Sequence, residues 1–296
     1  MREAAEDKIF NIINFIFLAG LTLCIIYPLL FVLSASFSEP DMVNSGQVAF
    51  LPKGFNWDGY KEILAYDPLW RGYTNTIIYT LVGTAINLAV TMTGAYALSR
   101  TELVGRNVVA FLFALTMFFS GGLIPTYILV SFLGLRDTMW ALILPGAASM
   151  YNMIICRSYF TTTIPNELYE SAKTDGASDF RMFISIALPL SYPIIAVMGL
   201  FYGVAHWNQF FSALIYLSDD KKYPLQLVLR TVLLQQTSGG VFADSVEALT
   251  DFNRRARLAE VMKYGLVIVA AGPLLIIYPF LQRFFVKGIM VGAIKS

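Results

Sequence analysis

The sequence predicts an all-α membrane protein with six transmembrane helices. Three observations carry this. Of 296 residues, 57% are hydrophobic and the mean hydropathy is +0.63. Only 14% are charged, against roughly a quarter in an ordinary soluble domain. The charges gather in segments that separate six apolar stretches, each near the about 20 residues a helix needs to cross the hydrocarbon core.

In chain order, no charge occurs from Ile9 to Ser38, and a first span is expected over about 11–33, with Pro28 tolerated inside it. A cleaved leader is a poor fit. The apolar run far exceeds a signal peptide's roughly 7–15 residues, and Glu3, Glu6 and Asp7 spoil the basic start. Residues 38–71 are polar and rich in Pro and Gly, as an external loop; within it, FNWDGYKEIL (55–64) suits a short amphipathic helix at the interface. The second span covers 74–99. After a turn from Arg100 to Arg106, the third covers 108–132, interrupted by Gly121-Gly122 and Pro125. Arg136-Asp137 is a tight turn before the fourth, 138–158, which contains Pro145. A polar segment, 163–187, precedes the fifth span, 188–217, with Pro189 and Pro193 near its start. A long charged external loop, 218–262, and a sixth span, 263–284, lead to the tail RFFVKGIMVGAIKS. The whole chain, 1–296, reads as one transmembrane domain without internal repeats.

Six spans put both termini on one side. With the N-terminus inside, the inner segments hold ten Lys and Arg and the outer ones eleven, so the raw count decides nothing. The short loops do: the Arg100–Arg106 turn has two positive charges and one acid, whereas Arg136-Asp137 is neutral. The basic tail agrees. Both termini and the 163–187 segment are therefore expected in the cytoplasm.

A net charge of +1 gives no sign of a nucleic-acid partner. The two cysteines, Cys24 and Cys156, lie in apolar runs and propose no disulfide framework. One histidine and no Cys/His cluster leave no metal or cofactor to predict. There is no Walker A loop, so ATP chemistry, if any, belongs to another chain. No triad or carboxylate pair for catalysis is in view. A proton- or ion-coupled pump would need carboxylates or lysines deep in its spans, and there are none.

The 163–187 segment is the most informative stretch. Pro165-Asn166-Glu167 marks a helix start. Leu168 and Ala172, four apart, form an apolar seam. Gly176 stands where a helix ends in a left-handed residue, and Ser178 can cap a second helix running on through Phe183, Ile184, Ile186 and Leu188. The order Glu-Ser-Ala, three residues, Gly, nine residues, Ile-x-Leu-Pro resembles the EAA signature of ABC-importer permease subunits. Glu170, Ala172, Gly176, Ile186, Leu188 and Pro189 match in register; Ser171 replaces the first Ala. The resemblance implies a type I permease fold in which this segment is a cytoplasmic coupling helix. Leu168, Tyr169, Glu170, Ala172, Asp175 and Gly176 would then couple it to an ATPase. It also implies the partners: a second, non-identical permease, two ATP-binding-cassette ATPase subunits and an extracellular solute-binding protein.

Further elements are similar to the carbohydrate-uptake group of that family: FNWDGYKEIL to its first external loop, and Trp207-Asn208 with YPLQLVLR (223–230) to its sugar permeases. The nearest branch resembles the lipoprotein- and polysaccharide-type permeases serving oligosaccharides, including uronate-containing ones. A substrate pathway is expected at Tyr202, His206, Trp207, Asn208, Gln209 and Phe210, with flat rings for stacking and polar groups for hydrogen bonding. The competing reading is an aromatic belt with helix–helix hydrogen bonds. The segment DSVEALTDFNRRARLAE (244–260) fits either a contact for the solute-binding protein or a solvated helix. The tail 286–296 resembles, through Gly288, Gly292 and Lys295, the C-terminal tail of maltose-type permeases. An importer of a non-sugar solute, a passive channel and a membrane anchor for an ATPase stay open.

Overall fold

The first apolar run forms one helix, α1 (Ala5–Ser36), and Pro28 does not break it. The computed structural model describes residues 5–235 and 259–279. Among these, all regular structure is helical, with no strand. The described residues fall into two compact units, one within 1–69 and 229–272, the other within 70–228 and 273–296.

In the first unit, α1 is followed by α2 (Pro40–Asn44) and α3 (Asp58–Ala65). Helix α3 is the amphipathic element expected in FNWDGYKEIL; it buries Gly59 and Ile63 and exposes its charges. Ala35, Val43 and Val48 form the core here, with Phe31 edge-on to Tyr264 at 5.9 Å.

The second unit is organised on α4 (Asp67–Ser99), whose 33 residues extend roughly 50 Å. Helices α5 (Arg106–Phe118) and α6 (Leu123–Phe132) then meet at a 113° bend. Gly122 makes the bend, with φ 85 and ψ 175, a conformation open essentially to glycine alone. The expected fourth span is three pieces: α7 (Trp140–Ile143), a 3-10 turn (Leu144–Gly146) and α8 (Met150–Thr163). Pro145 lacks the N–H that a continuing helix needs, and Ser149 starts α8 by accepting from the Asn152 N–H. With 14 residues, α8 reaches roughly 21 Å, short of a hydrocarbon core of roughly 30 Å.

Next come α9 (Asn166–Thr174), α10 (Asp179–Met182), a π turn (Phe183–Ala187) and α11 (Leu188–Leu190). They bend by 82° into α12 (Tyr192–Trp207) at Ser191, between Pro189 and Pro193. Helices α13 (Phe211–Tyr216) and α14 (Leu225–Gln235) follow, and α15 (Ala259–Pro279) ends the described chain. Among the described residues, three helices are long and apolar enough to cross a membrane, and each bent pair, counted as one span, brings the number to five. Most of 244–260, the end of the expected sixth span and the tail 286–296 lie outside the described residues.

Asp137 pins one end of the second unit. It sits at φ 56, the one non-glycine positive φ among the described residues. Its Oδ1 accepts from the N–H groups of Ser218 and Asp219 at 3.0 and 3.1 Å, and its Oδ2 lies 2.7 Å from Lys222 Nζ. The Lys222 hydrogen bond, then the two backbone N–H groups, hold its carboxyl at a pKa of about 2.

Candidate functional site

Helix α9 has a complete set of local end signals. Pro165 takes the cap position at φ −61, one residue ahead of the helix, with Glu167 in the first turn and Lys173 in the last. Both charges oppose the helix dipole. At the far end, Ala177 N–H donates to Ala172 O at 2.9 Å and Gly176 N–H to Lys173 O at 3.0 Å, a Schellman closure. Gly176 is left-handed at φ 78, and a Cβ there would meet nothing within 4 Å. Glycine is thus required by the backbone, not by crowding. Ser178 then caps α10, its hydroxyl accepting from the Arg181 N–H.

The expected seam of α9 divides. Tyr169 is 4% exposed and Leu168 43%. Tyr169 turns into the chain's own core with Tyr96, Phe160, Met182 and Phe183, and half-buried Ala172 packs against the same group. Leu168, Glu170 and Asp175 face outward. Burial pushes the Tyr169 hydroxyl up to about 12, so the ring stays neutral at physiological pH. Arg100, just past α4, lies over that ring at 4.0 Å from its centroid. Such a contact, largely desolvated, is worth up to about 2 kcal/mol. Glu102 bridges Arg100 at 3.4 Å and Lys173 at 3.2 Å. These partners, Lys173 first, lower its pKa, but exposed pairs are worth roughly 0–1 kcal/mol each.

The aromatic segment of α12 borders a cavity of about 500 Å³. Tyr202, His206 and Gln209 line it, joined by Asn87, Thr126 and Asn152. None of its lining residues carries a carboxylate, lysine or arginine. Asn87 is fully buried and organises the wall. Its Nδ2 donates to Gly146 O at 2.7 Å and Ala147 O at 2.9 Å, at the break between α7 and α8. Those two carbonyls fix the amide orientation, so Oδ1 is the atom facing His206 Nε2 at 2.7 Å. Oδ1 has no hydrogen; His206 therefore carries its proton on Nε2. Thr91 and Tyr202 pair their hydroxyls at 2.6 Å one turn along, and Gln209 Nε2 donates to Leu142 O at 3.0 Å.

Trp207, Asn208 and Phe210 do not line this cavity. Trp207 is buried edge-on to Tyr73, Asn208 donates back to Val204 O, and Phe210 packs against Phe211. Sequence reasoning missed Arg100, Asn87 and Asn152. A buried Asn inside the apolar 74–99 run was the available signal for Asn87. Arg100 read as one more loop charge.

Broken apolar helices thus surround a neutral polar cavity, with a polar elbow set between two of them, an arrangement in keeping with a membrane-transport component. The relatives agree. Residues 88–291 match the family described as binding-protein-dependent transport system inner membrane component. The chain is 39% identical over 296 residues to protein LplC of Bacillus subtilis (strain 168), covering all of this chain and 98% of that one. It is 37% identical to the polygalacturonan/rhamnogalacturonan transport system permease protein YtcP of the same organism, covering 98% of this chain and all of that one. A chain of a solved bacterial ABC transporter, involved in import of the acidic polysaccharide alginate, superposes with a TM-score of 0.86 at 30% identity, covering 96% of this chain and 99% of that one. The chain therefore belongs to the inner-membrane permease family of binding-protein-dependent ABC importers. It is a transport subunit without catalytic chemistry of its own, and membership implies an ATPase and a solute-binding protein as partners.

Proposed function

We propose that this chain is one of two non-identical permease subunits in an importer that moves an oligosaccharide across the bacterial cytoplasmic membrane by alternating access. Six spans cross the membrane, the third, fourth and fifth as broken helices, with both termini in the cytoplasm. Two ATPase subunits dock at the coupling segment 163–187, and a solute-binding protein delivers the sugar outside. The observation carrying this is the α9–Gly176–α10 elbow, whose left-handed glycine and double hydrogen-bonded closure fall in the register of the EAA signature. Leu168, Glu170 and Asp175 form its docking side; Tyr169, Ala172 and Gly176 set its angle.

The sugar reading is supported by one relative's name, which concerns polygalacturonan and rhamnogalacturonan, and by the solved transporter, which concerns the acidic polysaccharide alginate. The cavity's hydroxyl, amide and imidazole groups suit a hydroxyl-rich solute, and no lysine or arginine among its lining residues offers a counter-charge to an acidic one. Tyr202, His206 and Gln209 are its candidate contacts.

The test is ATP hydrolysis by the purified complex reconstituted with the solute-binding protein. Stimulation by oligosaccharide, with sugar accumulating in vesicles, is expected. Stimulation by another solute class alone would refute the sugar assignment. Hydrolysis indifferent to any solute would favour a channel or an anchor.

A further inference from the structure

We propose that Arg100 is a positioning residue for energy coupling: it locks α9 to the end of α4, so that movement imposed on α9 is delivered to α4 as well as to the chain entering α12. The proposal rests on the reading of α9 as the ATPase-docking helix.

Arg100 directly follows α4, its N–H bonded to Ala97 O at 3.2 Å. Its side chain is 16% exposed. The guanidinium lies 4.0 Å from the centroid of Tyr169, on α9, and 6.0 Å from that of Tyr96, on α4. Tyr96 in turn packs at 5.0 Å on Phe183 of the π turn and at 5.9 Å on Phe160 of α8. Four elements thus converge on one cation and its rings. The ionic chain Arg100–Glu102–Lys173 adds a second tie from the same loop to the last turn of α9.

This arrangement answers a mechanical need. Gly176 sets the direction of the elbow, but nothing stands within 4 Å of its Cβ direction to wedge it. A cavity of about 570 Å³ also opens beside Tyr96, Arg100, Phe180 and Phe183. The pitch of α9 is therefore held from its core side, through Tyr169. A planar guanidinium can lie flat on that ring while still reaching Glu102. A lysine ammonium keeps the charge but not the stacking plane.

The reconstituted complex tests this through the ratio of sugar-stimulated to basal ATP hydrolysis, basal hydrolysis serving as internal reference. Stimulation in the wild-type complex comes first; its absence overturns the importer reading itself. With stimulation present, Arg100→Ala should lower the ratio about 30-fold, the scale of one desolvated cation–π contact. Arg100→Lys should fall between the two. Tyr169→Phe keeps the ring and should keep the ratio; Tyr169→Leu should lose it. The Arg100→Ala/Tyr169→Leu double variant should be no worse than either single one. Full stimulation in Arg100→Ala, or additive losses in the double variant, overturns the proposal. So does failure of the ATPase to copurify with both Arg100→Ala and Arg100→Lys, because a positioning residue acts after docking.

Discussion

Replacing Gly176 by valine should impair uptake more than removing the charge of Glu170, although Glu170 heads the signature. At φ 78, an L-residue costs roughly 1–2 kcal/mol more than glycine, and a β-branched one sits at the upper end. No steric clash adds to this, because a Cβ at 176 meets nothing within 4 Å. If the turn unwinds instead, the Ala177–Ala172 and Gly176–Lys173 hydrogen bonds are lost, at about 1 kcal/mol each. Either way the ratio of formed to unformed elbow falls about 5- to 30-fold. Glu170→Gln acts on an exposed residue, where a substitution usually stays within about 0.5 kcal/mol. Swinging a transporter between its two states takes about 5.5 kcal/mol of differential binding, which one surface charge pair of roughly 0–1 kcal/mol cannot supply. The assay is sugar uptake at equal membrane expression, with Gly176→Asn as control, since asparagine tolerates the left-handed region. The expected order of impairment is valine, alanine, asparagine. Glu170→Gln worse than Gly176→Val, or asparagine as harmful as valine, would refute the reasoning.

Three further outcomes follow from the geometry. Gly83→Ala places a Cβ 2.5–2.8 Å from the His206 ring; it should displace the imidazole and destabilise the detergent-solubilised protein by about 1–3 kcal/mol, a loss partly recovered in Gly83→Ala/His206→Ala. Asn87→Asp should cost at least about 2 kcal/mol in thermal unfolding, because it removes the donor to two inward-facing carbonyls. The Asp137 carboxyl is depressed from 3.8 to about 2, so its folded-state contribution is complete above about pH 4 and is lost as pH falls through about 2; melting temperature should drop across that window, and Lys222→Met should move the drop to higher pH.

What the sequence settles is local. Long uncharged runs require helices, because hydrocarbon cannot satisfy backbone groups. The bend at Gly121-Gly122, the break at Pro145 and the kink between Pro189 and Pro193 are written in residues that a straight helix tolerates poorly. The α9 elbow was legible too: a cap, a dipole-opposing charge and a left-handed glycine all act within one or two turns.

Direction and partnership were decided elsewhere. Nothing along α9 says that Tyr169 turns inward and Leu168 outward; that depends on Tyr96, Arg100 and Phe183 being in place to receive the ring. The same holds for Trp207 and Phe210, which have the chemistry of sugar-stacking faces but are not among the residues lining the cavity. The Lys173–Glu102, Asp137–Lys222 and Asn87–His206 pairs join residues 71, 85 and 119 positions apart. Hydropathy and backbone preference are properties of neighbours in the chain, so the sequence alone determined where helices run and where they break. Which polar atoms meet is a property of neighbours in space, fixed only when the packed helices bring donor and acceptor within reach.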